Sequence, residues 1–162
     1  MRIKTPNYVA GREGFVPKAI VLHITEGSYA STKSWFEMQN SQVSSHWVVD
    51  PFYGAIEVVK EIDTAWANGL PVRPRWKGMI KGVNPNLYTI SVEVVLQNGY
   101  TFPSFKLWKD TAQLVADISR RWDIPLNSMG VVNHNEIRAD KECPGKWMRR
   151  WYILFLIKVL KL

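Results

Sequence analysis

Two segments rich in β-branched residues decide the fold, KAIVLHIT (18–25) and YTISVEVVLQ (88–97). The first is a short apolar run that follows Pro17, which is typical of a buried strand. The second alternates between apolar and polar residues, which predicts a strand with one face buried. We therefore expect both segments in one central sheet.

The segments around these strands alternate between short apolar runs and longer helical patterns. SSHWVVD (44–50) and AIEVVKEI (55–62) predict strands, and 124–137 predicts a loop with a short strand. Three helices are predicted. The first is capped by Ser31 or Thr32 and ends at Gln39, the second covers 103–122 and the third covers 151–162. The first of these helices has Trp35, Phe36 and Met38 as its apolar face, and 68–86 reads as a long surface loop. The sequence thus predicts an α/β fold, with a central mixed β-sheet flanked by helices.

Length and composition limit the classes of protein that remain. A chain of 162 residues with 46% hydrophobic residues predicts one folded domain over 1–162 and excludes disordered and collagen-like classes. The net charge of +7 favours a polyanionic partner, such as nucleic acid, an anionic lipid surface or a cell-wall polymer. Cys143 is the single cysteine, so no internal disulfide is possible.

Residues able to perform chemistry are concentrated at three histidines and this cysteine. His23 and His46 lie in predicted strands, and His134 precedes Cys143 in one phrase. Taken singly, a histidine in a strand is more often a structural residue, and a lone cysteine is more often a small buried hydrophobe. Together, His23, His134 and Cys143 supply the three ligands of a catalytic zinc site. A Cys–His nucleophile pair without metal is the alternative.

Five phrases, in order along the chain, resemble the zinc-dependent N-acetylmuramoyl-L-alanine amidases of the Amidase_2 type, which include phage endolysins and peptidoglycan recognition proteins. The phrases are IVLHITEG (20–27), VSSHWVVD (43–50), DTAWANG (63–69), TISVEVV (89–95) and NHNEIRADKECPG (133–145). The resemblance implies one Zn²⁺ per chain, held by His23, His134 and Cys143. It implies Glu93 and Lys141 as catalytic residues, and a substrate-binding set of Thr25, Ser45, His46, Trp66 and Asn68.

The sequence departs from the family pattern at three positions. Many members have Asp in a D-P-G phrase as the third metal ligand. This chain has Cys143 in a C-P-G phrase at that position, and a subset of phage enzymes also has cysteine there. A catalytic tyrosine of one phage branch is replaced by Ser45, which argues against tyrosine-assisted catalysis here. The usual W-H-A-G phrase is Trp66-Ala67-Asn68-Gly69 here, so the contact of that histidine is missing and Asn68 is expected to take a different part.

The activity that the resemblance implies is hydrolysis of the amide bond between N-acetylmuramic acid and L-alanine in peptidoglycan. Zinc lowers the pKa of bound water to about 7, and Glu93 is the candidate base. We also expect apolar walls from Trp47, Trp66 and Trp76, and contacts to stem-peptide carboxylates from Arg73, Arg75 and Lys77. The alternatives are a non-catalytic peptidoglycan-binding module and a nucleic-acid-binding protein, the latter without a recognisable motif.

The C-terminal segment MRRWYILFLIKVLKL (148–162) gathers Arg150, Lys158 and Lys161 into one sector of a helical wheel. The remaining arc is apolar and wider than one core-facing stripe requires. The segment is therefore either a core helix or a helix that also contacts an anionic membrane or lipopolysaccharide.

Expectations about the cellular setting follow from the same features. The N-terminus lacks the apolar core of a signal peptide, and no cell-wall-binding domain is recognisable. We expect a monomeric phage endolysin, made in the host cytoplasm, that has no nucleic-acid partner and acts on the cell wall after release.

Overall fold

The computed structural model describes residues 3–96 and 101–162, and a five-stranded β-sheet forms the centre of this part of the chain. In chain order the strands are β1 (Tyr8–Val9), β2 (Ala19–Ile24), β3 (Trp47–Asp50), β4 (Gly54–Glu57), β5 (Thr64–Ala65), β6 (Thr89–Val94) and β7 (Val131–Asn133). The helices are α1 (Tyr29–Glu37), α2 (Phe105–Trp122) and α3 (Arg150–Leu160). The predicted α/β class is confirmed.

The central sheet is mixed, with the strand order β4-β3-β6-β2-β7. Four strands run parallel to one another, namely β3, β6, β2 and β7. The edge strand β4 pairs with β3 in the antiparallel sense. The hairpin between β3 and β4 explains the one antiparallel pair, because a short turn reverses the chain direction. β2 is thus an interior strand, paired on both edges.

Alternation along β2 and β6 separates the two faces of the sheet. Ile20, Leu22 and Ile24 belong to the large core that includes residues of α2 and α3. The register pairs His23 with Glu93, so both side chains lie on the opposite face. That face is covered by α1 and by residues of the 68–88 region.

Several predicted boundaries were wrong, and each has a local reason. α1 begins earlier than predicted, because Ser28 caps it by accepting a hydrogen bond from the Ser31 backbone N–H (3.2 Å). Its predicted apolar face is reduced to Phe36, since Trp35 and Met38 are exposed. The predicted strand over 55–62 ends at Glu57, before a turn in which the Asp63 N–H donates to the Lys60 carbonyl (2.9 Å).

The other elements also differ in extent from the prediction. β3 begins at Trp47 rather than at residue 44. The predicted strand over 88–97 is β6, and Gln97 lies outside the described residues. α2 begins after Ser104, whose hydroxyl caps the Leu107 N–H (3.2 Å). The terminal helix begins one residue earlier than predicted and ends at Leu160.

Two features of the fold were not predicted. β1 and β5 form a separate antiparallel pair, each strand two residues long. The 68–86 segment is anchored rather than loose: Trp76 is buried, its indole N–H donates to the Met129 carbonyl (3.0 Å), and Val72 forms a bridge with Arg138. Among the described residues, no helix combines the length and apolarity needed to cross a bilayer.

Candidate active site

The predicted metal ligands come together from three separate parts of the chain. His23 lies in β2, His134 directly follows β7 on the neighbouring edge, and Cys143 follows nine residues later. One possible ligand atom from each residue lies within 4.8 Å of the others, and the two imidazole centroids are 4.3 Å apart. All three residues are buried.

Local hydrogen bonds hold these three residues in place. The Cys143 thiol accepts from the Ile24 N–H (3.4 Å), and the Cys143 carbonyl accepts from the Asn135 N–H (2.9 Å). The turn that carries His134 is closed by a reciprocal cap between Asn133 and Glu136. The sulfur is therefore fixed at the end of β2, and His134 is fixed beside it.

The donor set fits a zinc ion in type and spacing. Two atoms bound to one zinc lie roughly 3–4 Å apart, so donors already within 4.8 Å need only small movements to reach that geometry. Burial, then the proximity of His134, lowers the pKa of His23, and burial lowers the pKa of His134 to about 4. Both imidazoles are thus neutral near pH 7, the form in which histidine binds a metal. Burial, then Glu93, raises the pKa of the Cys143 thiol, and a bound metal would favour its thiolate.

The ligand cluster opens into a cavity of about 450 Å³. Glu93 and Lys141 line it together with the three predicted ligands, so the structure brings all five predicted catalytic and metal-binding residues into one cavity. Burial, then the charge of Glu26, raises the pKa of Glu93 to about 8. The cavity therefore joins a possible metal site to a carboxylate and an ammonium group.

The predicted substrate-binding residues are divided between the cavity and the interior. Thr25 lines the cavity, and its hydroxyl both donates to the Gly27 carbonyl (2.7 Å) and accepts from the Gly27 N–H (3.3 Å). Ser45 and His46 are fully buried and do not belong to the described lining. The Ser45 hydroxyl donates to the Trp47 carbonyl (2.9 Å).

His46 belongs to a buried polar network behind the cavity. Its Nδ1 accepts from the Ser91 N–H (3.0 Å), and its Nε2 lies 2.7 Å from Nη2 of Arg12. The Arg12 guanidinium also donates to the carbonyls of Asn86, Leu87 and Thr89 (3.0–3.2 Å). Burial, then Arg12, lowers the pKa of His46 to about 3, so this histidine remains neutral and supports the site from within.

The three tryptophans predicted to form apolar walls lie outside the described lining of this cavity. Trp66 lines a separate cavity of about 330 Å³, and Ala67 instead reaches the site. Trp76 is in the core, and the Trp47 indole N–H donates to Glu61 (2.7 Å) on the opposite face of the sheet. The described lining of the site likewise excludes the predicted basic contacts, Arg73, Arg75 and Lys77.

Sequence reasoning missed other residues of the cavity wall. Glu26 is exposed, lines the cavity and has a left-handed backbone with φ of +56°. Thr32 and Trp35 line it from α1. Glu26 was detectable in principle, because it lies three residues after His23, just past the carboxyl end of β2. The Trp35 position depends on how α1 packs, which the sequence pattern does not specify.

Comparison with known proteins identifies relatives of this chain and of its fold. The Amidase_2 family model, described as N-acetylmuramoyl-L-alanine amidase, matches residues 13–146. N-acetylmuramoyl-L-alanine amidase A of Achromobacter lyticus is 34% identical over 76 residues, or 46% of this chain. The match spans 35% of that relative, so the chain corresponds to about a third of its length.

Solved structures share the fold across nearly the whole chain. A selenomethionine derivative of AmpD superimposes with a TM-score of 0.78 at 16% identity and covers 96% of this chain and 92% of its own. PlyL gives 0.65 at 23% identity, covering 89% of this chain and 86% of its own. The PlyG catalytic domain superimposes with a TM-score of 0.66 at 20% identity, and the match covers 94% of this chain and 86% of that domain. Since the family model spans most of the sequence, the chain belongs to the Amidase_2 family of N-acetylmuramoyl-L-alanine amidases.

Proposed function

We propose that the protein is a zinc-dependent hydrolase that cleaves the amide bond between N-acetylmuramic acid and L-alanine in peptidoglycan. Family membership supports the reaction and substrate class. The observation that carries the zinc dependence is the convergence of His23, His134 and Cys143 beside Glu93 in an open cavity. A recognition module without catalysis would not require this intact set of donors.

The side chains in the cavity are suited to amide hydrolysis. A zinc ion held by the three donors would polarise the scissile carbonyl, lower the pKa of a water molecule and favour the ionised form of a nearby carboxylate. Glu93 accepts a proton from the attacking water and delivers it to the departing amide nitrogen. Lys141 donates a hydrogen bond to the oxyanion that develops on the carbonyl oxygen. The products are a free lactyl carboxylate and a stem peptide with a free L-alanine amine.

Digestion of purified peptidoglycan tests this function directly. Mass spectrometry is expected to detect free stem peptides that begin at L-alanine, together with uncleaved glycan strands. A chelator should abolish their release and added Zn²⁺ should restore it, because all three donors belong to one metal site. Full activity in the chelated protein would exclude zinc dependence, and glycan fragments without free peptides would exclude the proposed bond.

We further infer a role as a phage endolysin. The likeness in fold to PlyL and PlyG is compatible with that role. In this role the protein acts on the host cell wall after release from the cytoplasm, as a monomer.

The outer face of α3 is the surface best suited to a membrane contact. Trp151, Phe155 and Val159 follow one another at four-residue spacing and are 58%, 61% and 55% exposed. Ile153 and Ile157 on the inner side are buried in the large core. α3 therefore packs against the domain and still presents a continuous apolar row to solvent.

The charged residues of the segment that carries this row have one sign. Residues 143–162 include five basic residues and no acidic residue. Arg150, predicted to belong to the basic sector, instead bonds to Glu136 (2.7 Å), which leaves Lys158 and Lys161 as exposed charges near the end of the helix. An apolar row beside lysines is the pattern of helices that lie in the interface of an anionic bilayer.

We propose that this face, defined by Trp151, Phe155, Val159, Lys158 and Lys161, binds anionic phospholipid bilayers. The double variant Lys158→Glu/Lys161→Glu and the double variant Phe155→Ser/Val159→Ser should both lose co-sedimentation with phosphatidylglycerol vesicles. Both should digest purified peptidoglycan at the wild-type rate, because the changes lie outside the cavity.

Matched controls use exposed residues elsewhere on the molecule. Phe52→Ser alters a side chain that is 86% exposed, and Lys77→Glu/Lys81→Glu reverses the same number of charges on the 68–86 segment. Controls that bind vesicles as the wild type does would support the assignment. Equal vesicle binding by the α3 variants would overturn it, and binding to lipopolysaccharide but not to phospholipid would also contradict it.

A further inference from the structure

Asn68 is the residue that connects the two histidines of the proposed metal site. Its backbone carbonyl lies 3.2 Å from Nε2 of His134. Its side chain is buried beside His23, whose ring centroid is 4.3 Å from that of His134. Asn68 itself is 1% exposed and does not belong to the described lining of the cavity.

The contact to His134 fixes the tautomer of that ring. A carbonyl oxygen only accepts hydrogen bonds, so Nε2 of His134 must carry the hydrogen. In a neutral imidazole the other nitrogen, Nδ1, then has a lone pair available. His134 is thereby prepared to bind a metal through Nδ1.

Two buried atoms next to this contact have no hydrogen-bond partner among residues 3–96 and 101–162. They are Nε2 of His23, in a residue that is 3% exposed, and Oδ1 of Asn68. One can donate and the other can accept, and an unpartnered buried polar atom is energetically costly. A small rotation that joins them would satisfy both and would leave Nδ1 of His23 as the nitrogen for a ligand bond.

Asn68 is itself held firmly in place. Its side-chain Nδ2 donates to the Thr89 hydroxyl (2.9 Å), and its backbone N–H donates to Oδ1 of Asn86 (2.9 Å). The Nδ2 contact orients the amide so that Oδ1 is the atom left for His23. These bonds make Asn68 a rigid support rather than a mobile side chain.

We infer that Asn68 is the positioning residue of the metal site, with its backbone carbonyl accepting from Nε2–H of His134 and its side-chain Oδ1 accepting from Nε2–H of His23. Both histidines are then presented to zinc through Nδ1. The inference rests on the proposed zinc dependence. It also assigns a role to the residue that follows Ala67, the position at which the family phrase has its histidine.

Zinc affinity, measured by competition with a chromogenic chelator, tests the inference without reference to activity. Asn68→Ala removes the Oδ1 acceptor and should weaken zinc binding about 10–100-fold, as the loss of an outer hydrogen bond to a metal-bound histidine typically does. Asn68→Asp retains an acceptor at the same place and should retain most of the affinity. Thr89→Val removes the bond that orients the amide but keeps Oδ1, so its loss of zinc affinity should be smaller than that of Asn68→Ala.

Long-range ¹H–¹⁵N spectra of the zinc-loaded wild-type protein supply a second measurement, independent of whether a variant folds. Both rings should show a hydrogen on Nε2 and the metal on Nδ1. A metal on Nε2 of either ring would overturn the inference, as would unchanged zinc affinity in folded Asn68→Ala. If the wild-type protein bound no zinc at all, the proposed function would fail instead, which separates the two conclusions.

Discussion

Glu93→Gln is expected to lower peptidoglycan hydrolysis by about 10²–10⁴-fold while zinc content and thermal stability remain near the wild-type values. Glutamine has the same shape as glutamate but does not accept a proton at neutral pH. Glu93 lies in β6 directly beside His23 and lines the cavity, so the change removes the base without removing a ligand. Initial rates of stem-peptide release, measured with matched zinc content, provide the test.

Two other variants make this result specific. Glu26→Gln removes the other carboxylate on the described cavity wall and should reduce the rate only slightly. Lys141→Ala should produce a loss smaller than that of Glu93→Gln, in line with one contact to the oxyanion. If Glu93→Gln kept near-normal turnover and Glu26→Gln did not, the base would be Glu26.

Cys143→Ser is expected to lose most of its bound zinc, and hydrolysis with it. A hydroxyl is a much weaker zinc ligand than a thiolate, and the sulfur is one of the three donors gathered at the site. Metal analysis of the purified variant, after dialysis against a fixed low zinc concentration, measures the loss.

A carboxylate at the same position provides the matched comparison. Cys143→Asp introduces a ligand type that zinc accepts and that many family members have there, so it should retain more zinc than Cys143→Ser. Stoichiometric zinc in Cys143→Ser would remove this residue from the ligand set. A folded Cys143→Ser protein with no zinc and full activity would instead point to a metal-free reaction.

The central strands were predictable because their signals are local. The apolar run of β2 and the alternation of β6 identify buried strands from a few adjacent residues. The same alternation assigns Glu93 to a definite face of the sheet. β1 and β5 are only two residues long, which is too short for any periodic pattern to appear.

The interior polar residues were not predictable for a different reason. Arg12, His46 and Asn68 have side chains that usually face water. The sequence therefore favoured substrate-contacting roles for His46 and Asn68 and gave no role to Arg12. Their burial depends on partners distant in the sequence, such as the carbonyls of residues 86–89 that accept from Arg12. Such pairings are visible only after the chain has folded.

The central position of β2 also determines when the site comes into existence. β2 pairs with β6 and β7, both from much later in the chain, and the sulfur at its end comes from Cys143. Contacts between residues so far apart in sequence form late and slow the folding of a domain. A chain still emerging from the ribosome, or one truncated before residue 143, therefore lacks part of the proposed catalytic centre. Under the proposed function, synthesis of the protein is separated in time from its first hydrolytic event by the folding of its own C-terminal third.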